Sequence, residues 1–129
     1  MVLEVVVGDK VDEILYKCLS KLDWLEEAWY HWVMADELTW NKFYDSAFMH
    51  VKKSLQWLKR IILNRKAEGE LREHIENLIK EIEVIDHVDA LNECQVLGLT
   101  LKFRRVFFHH LAKCILEEAQ TESVFKPPQ

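Results

Sequence analysis

A chain of 129 residues with a formal net charge of −5 is sized for one domain, and its acidic balance works against strong nonspecific affinity for a phosphate backbone. Half the residues are hydrophobic and 30% are charged, a globular composition rather than a disordered one. Three glycines and two prolines, beside abundant Leu, Glu and Lys, favour long uninterrupted helices.

The opening MVLEVVVGDK has an acidic residue and no basic stretch, unlike a signal peptide. Its β-branched Val2–Val7 segment, ended by Gly8, predicts a short extended arm over residues 1–9. From Asp9, a capping residue, Val11, Leu15, Cys18, Leu22, Leu25, Trp29 and Trp32 recur at steps of three and four, predicting one long first helix that packs antiparallel against a neighbour. The segment from Ala35 to Asn41 predicts the turn of a helical hairpin.

The second helix, Asn41 to Leu63, is the best defined. Asn41 is its expected N-cap, and Tyr44, Ala47, Phe48, Val51, Leu55, Leu58 and Ile62 form its buried face. Lys52, Lys53, Lys59 and Arg60 lie off that face or near the C-terminal end, where cations suit the helix dipole. The polar segment around Gly69 ends it. A third helix follows on Leu71, Ile75, Leu78, Ile82 and Ile85, with Glu73, Glu76, Lys80, Glu81 and Glu83 on a solvated face. After a break at Asp86–Asp89, a final helix runs from about Val88 to Ala119, where Gly98 marks a kink, a close helix crossing or an interruption. The expected fold is therefore all-α: an up-down antiparallel bundle of four or five helices over residues 10–120, with a flexible tail at 121–129.

The longest apolar run falls far short of the roughly 20 residues that span a bilayer, so no membrane association is expected. Cys18, Cys94 and Cys114, an odd set without paired spacing on apolar faces, read as reduced core thiols of a cytoplasmic protein. Glu27 with His31, Glu70 with His74 and Glu83 with His87 stand at i, i+4, where surface ion pairs outweigh metal binding. Neither a Glu-x-x-His di-iron pattern nor an HExxH or paired-cysteine zinc motif occurs, and no cofactor is expected. Ser20, Ser46 and Ser54 lack a glycine elbow, and there is no phosphate-cradling glycine loop.

Five tryptophans, Trp24, Trp29, Trp32, Trp40 and Trp57, are many for this length. Trp32, Trp40 and Trp57 are candidates for a protein interface, and the excess of apolar surface predicts a homodimer. The most unusual stretch is Phe103 to His110. On an ideal helix Leu99, Phe103, Val106, Phe107, Leu111, Cys114 and Ile115 make a broad apolar arc that takes in Arg104 and His110, while Lys102, Arg105 and His109 point outside it. A guanidinium so placed needs company, either a carboxylate such as Glu93 or Asp45 or a polar groove between two subunits.

These residues resemble the HEPN family of small helical bundles, named for higher eukaryotes and prokaryotes nucleotide-binding. The likeness lies in TWNKFYDSAFMHVKKSLQWLKRIIL, similar to the family's second helix; in His74-Ile75-Glu76-Asn77-Leu78, similar to the start of its third; and in an Arg followed four to six residues later by His, met here by Arg104, Arg105, His109 and His110. The resemblance implies a four- or five-helix bundle, commonly a homodimer, whose Arg and His from both subunits form a metal-independent RNA-cleaving cleft: His in proton transfer or substrate positioning, Arg in stabilising charge on phosphate. Other members are noncatalytic. The alternative reading is a structural or protein-interaction module, such as a small subunit of a larger complex.

Overall fold

In the computed structural model, backbone is described for residues 2–121 and side chains for residues 10–121. The fold is an all-α bundle: α1 (Val2–Lys21), α2 (Asp23–Trp40), α3 (Tyr44–Leu63), α4 (Gly69–Glu83) and α5 (Glu93–Thr121), with a 3-10 turn at Val88–Ala90 before α5 and no strand among the described residues. The residues fall into two compact units, one formed by the chain up to Asp23 and from Phe108 onward, the other by Trp24–Phe107.

In the Trp24–Phe107 unit, contacts give the helix directions. Trp24 meets Trp57, Ser54 Oγ donates to the Ala28 carbonyl at 2.7 Å, and His31 meets His50, so α3 runs opposite to α2. Asp36 accepts from Thr100, Trp32 stacks on Phe103 and Trp29 lies against Phe107, so α5 also opposes α2. The core of this unit holds Leu25, Trp32, Val51, Leu58, Ile75, Ile82, Val96 and Phe103. Trp32 is wholly buried, and its indole Nε1 donates to the Val96 carbonyl at 3.0 Å, which removes the cost of hiding a polar N–H. It is therefore a core residue, not an interface candidate. Asp36 is also buried; one carboxylate oxygen takes the Thr100 hydroxyl at 2.8 Å.

In the other unit, Ile14, Cys18, Leu22, Leu111 and Ala119 are buried, Lys17 and Lys21 both reach Glu118 at 2.9 Å, and Cys18 is bridged to Cys114 with their Cα atoms 5.8 Å apart. The bridge corrects the expectation of three reduced core thiols. Cys94, expected on an apolar face, is instead exposed and free, because it sits in the first turn of α5, ahead of the buried Val96. The sequence rule failed because it looks for close spacing, and these partners are 96 residues apart.

Several boundaries differ from expectation. Val2–Val7, expected as an extended arm, carry helical backbone continuous with α1. Extending a helix that already exists costs only a few tenths of a kcal/mol per valine, about 0.5 or so on the usual scales, whereas nucleation is the expensive step. The expected single first helix is broken at Leu22, whose N–H bonds to the Leu19 carbonyl, three residues back, before α2 starts. Helix α2 then persists to Trp40, and the turn falls at Asn41–Phe43 with Lys42 at φ +65°. Asn41 is no N-cap for α3: its side chain donates to the Glu37 carbonyl and finishes α2 instead, while Phe43 precedes α3 without a side-chain cap. The buried line of α3 is Ala47, Val51, Ser54, Leu58 and Ile61, leaving Tyr44 exposed.

Gly69 opens α4 at φ +59°, and of the expected stripe, Ile75, Leu78, Ile82 and Ile85 are buried while Leu71 is only half-buried. Helix α5 starts at Glu93, later than expected, with the Asn92 side chain accepting from the Gln95 N–H. Gly98 lies within unbroken helix, and a Cβ there would meet nothing within 4 Å, so no close crossing explains it. No helix among the described residues is long and apolar enough to cross a membrane. The expected flexible tail lies, beyond Thr121, outside the described residues.

Candidate functional site

Helix α5 carries all four residues singled out by the Arg/His spacing. Its buried line is Val96, Leu99, Phe103, Phe107, His110 and Leu111. This stripe is narrower than the arc drawn from an ideal helix, and Arg104, one residue or roughly 100° past Phe103, falls outside it. Arg104 and Arg105 are both exposed. Of the two companions expected for Arg104, a carboxylate such as Glu93 or Asp45 is corrected, since the guanidinium is exposed to water and neither is its partner among the described residues; a polar groove between two subunits concerns a second copy. The two histidines divide sharply. His109 is exposed whereas His110 is 6% exposed, and their rings meet edge to face with centroids 4.9 Å apart.

A second imidazole pair joins α2 to α3, and the sequence did not reveal it. His31 and His50 bring their Nδ1 atoms to 3.1 Å with rings nearly parallel and centroids 5.3 Å apart. Two nitrogens at that distance need one to carry the proton and the other to accept it, so the two rings cannot both be protonated while the contact lasts. Burial, then the Lys53 ammonium, holds His31 below the ordinary 6.5, with Glu27 pulling weakly the other way. Burial, then His31 itself and Lys53, lowers His50 likewise. The expected Glu27–His31 pair is therefore subordinate to a cross-helix imidazole contact. Of the other i, i+4 pairs, Glu70 and His74 approach to 3.8 Å, but His87 turns to Asp89 at 3.5 Å while Glu83 pairs with Lys59 at 3.7 Å.

The third cluster is aromatic and basic. Trp24 and Trp57 meet edge to face at 5.9 Å between centroids; the Lys66 ammonium lies 3.9 Å from the Trp24 ring centre, and the Arg60 guanidinium 4.6 Å from that of Trp57. Beside them opens a groove of about 890 Å³ lined by Trp24, Lys59, Arg60, Ile62, Leu63 and Ile79, among others. Trp57 remains partly exposed, and Trp40, elsewhere on α2, is half exposed, so two of the three proposed interfacial tryptophans do reach the surface. The signal for this cluster was present in the sequence: from Ser46 to Ala67 there is no Asp or Glu, yet Lys52, Lys53, Lys59, Arg60, Arg65 and Lys66 all fall there. Reading those cations as dipole complements hid their clustering.

Ser20 and Ser54 spend their hydroxyls on the Tyr16 and Ala28 carbonyls, and neither bonds a base. The chain matches no family model, no curated protein and no solved structure.

Proposed function

We propose that this chain is a HEPN-like helical bundle that acts on or near RNA, meeting phosphate through Arg104, Arg105 and His109. The observation that supports the reading is the exposure of these three side chains on α5, since a planar guanidinium free of carboxylates is suited to a phosphate oxygen pair. RNA cleavage needs an imidazole that reaches the reacting atoms. Of the two candidates, His109 is the one open to solvent, so it takes the proton-transfer role and buried His110 packs against it as a positioning residue. In the homodimer that belongs to this reading, a second copy supplies a second Arg/His set. The reading carries a cytoplasmic location, against which the Cys18–Cys114 bridge counts, because such bridges persist mainly in oxidising compartments.

Incubation of the purified chain with labelled RNAs of varied sequence and structure, with and without EDTA, tests it. The expected result is cleavage that survives the chelator and is lost in Arg104→Ala and His109→Ala, with helicity unchanged by circular dichroism. Intact RNA with no gel retardation, from protein shown to be folded, ends the proposal. The second reading, a noncatalytic interaction module, draws its support from the aromatic groove between cations.

A further inference from the structure

The groove beside Trp24 has a floor and a rim of different chemistry. Ile62, Leu63 and Ile79 supply aliphatic surface, and Leu63 is 82% exposed at the last turn of α3. A lone exposed leucine is ordinary, but here it continues an apolar lining. The rim is cationic. Lys59 has one partner, Glu83, at 3.7 Å with both side chains more than half exposed, a pair that solvent screens readily. Arg60, on the groove lining, and Lys66, over Trp24, have no carboxylate partner among the described residues. In a chain with 22 acids against 17 bases, two unneutralised cations at one groove stand against the molecule's average charge.

The complement of such a surface is an aliphatic ridge flanked by carboxylates. A nucleobase fits it less well, because bases stack on open aromatic faces. Here one face of Trp57 lies under Arg60, one of Trp24 lies under Lys66, and the two indoles meet edge to face. We propose that the groove lined by Trp24, Lys59, Arg60, Ile62, Leu63 and Ile79 docks an acidic amphipathic helix of a partner protein, its leucine-like anchors on Leu63 and Ile79 and its carboxylates on Lys59, Arg60 and Lys66. The inference shares no residue with the RNA reading and stands without it. Charge at the rim sets association rate and partner choice, and the apolar floor sets residence time.

Selection of a random helical-peptide library on the intact chain, with Arg60→Glu protein as the counter-selection, reads the chemistry directly. Enriched peptides are expected to carry apolar residues at i, i+3 or i+4 and i+7 with Asp or Glu between them. A synthetic copy should bind at least tenfold more weakly to Arg60→Glu and to Leu63→Ser, both exposed positions, at a temperature below the onset of each variant's thermal unfolding curve. A peptide in which only the acid that depends on position 60 is changed to Lys should recover binding to Arg60→Glu. The proposal is overturned if no Arg60-dependent peptide enriches, if the enriched peptides lack acidic surplus, or if a 20-nucleotide oligouridine displaces them from the groove.

Discussion

The two compact units reach stability by different means. The Trp24–Phe107 unit hides large side chains, Trp32, Phe103, Leu58 and Ile75 among them, and gives several buried polar groups an internal partner, as with Trp32 to Val96 and Ser54 to Ala28, while one oxygen of buried Asp36 has none. Among the described residues, the unit built from the two ends of the chain has a shorter set of buried apolar side chains, and it adds a covalent bridge and the paired lysines on Glu118. The lysines hold the Glu118 carboxyl below its usual range, through hydrogen bonds first from Lys17 and then from Lys21. Burial suffices where helices offer several faces to one another. Where only two segments of chain meet, cross-links take over part of the task.

The largest expected effect that sharpens this contrast is in the core. Trp32→Ala removes a filled indole site and should cost about 3–5 kcal/mol, read as a loss of that size in urea or thermal unfolding. An effect under about 1 kcal/mol would mean that the contrast in burial is not a contrast in energy.

Next comes the bridge. Cys18→Ser, or added reductant, should lower stability by about 2–4 kcal/mol on the chain-entropy account, given the long loop closed between partners 96 residues apart. Hydrogen exchange sharpens this. Amide protection should fall first in α1 and in α5 beyond Phe107, with the Trp24–Phe107 unit following only at global unfolding. Uniform loss across both would break the comparison.

The smallest effect belongs to the imidazole pair. Both His31 and His50 have folded pKa values lowered from 6.5, so the unfolded chain binds more protons in that range. Their contribution is complete above the unfolded value and is lost as pH falls through 6.5 toward the folded values. His50→Gln should flatten the acid limb of the stability curve below pH 6.5, measured by melting temperature against pH. Simultaneous loss of both imidazole resonance shifts by NMR would report the pair directly.

Helix α4 and the buried side of α3 were legible because their apolar residues segregate cleanly onto one stripe, as Ile75, Leu78 and Ile82 do. Helices α1 and α2 were merged because the break at Leu22 involves neither glycine nor proline, only a shift of one backbone bond to the carbonyl three residues back. Asn41 has capping chemistry, but the side chain served the helix before it rather than the one after. The Arg/His stretch was legible as unusual, yet the ideal-helix arc was too wide to sort Arg104 from His110, since roughly 100° separates neighbours and the true stripe is narrower. The contacts that join distant parts of the chain, Cys18 to Cys114 and His31 to His50, leave no periodic trace for one sequence to display.

The solvent-facing thiol of Cys94 bears on how the number of copies per assembly is counted. Two chains linked through it on storage would run as a pair on a gel and imitate the expected homodimer. Reductant clears that artefact but also opens the internal bridge, so a single sample cannot separate the two chemistries. Sedimentation of Cys94→Ser without reductant does, because that chain keeps its internal staple and has no sulfur left with which to join a neighbour.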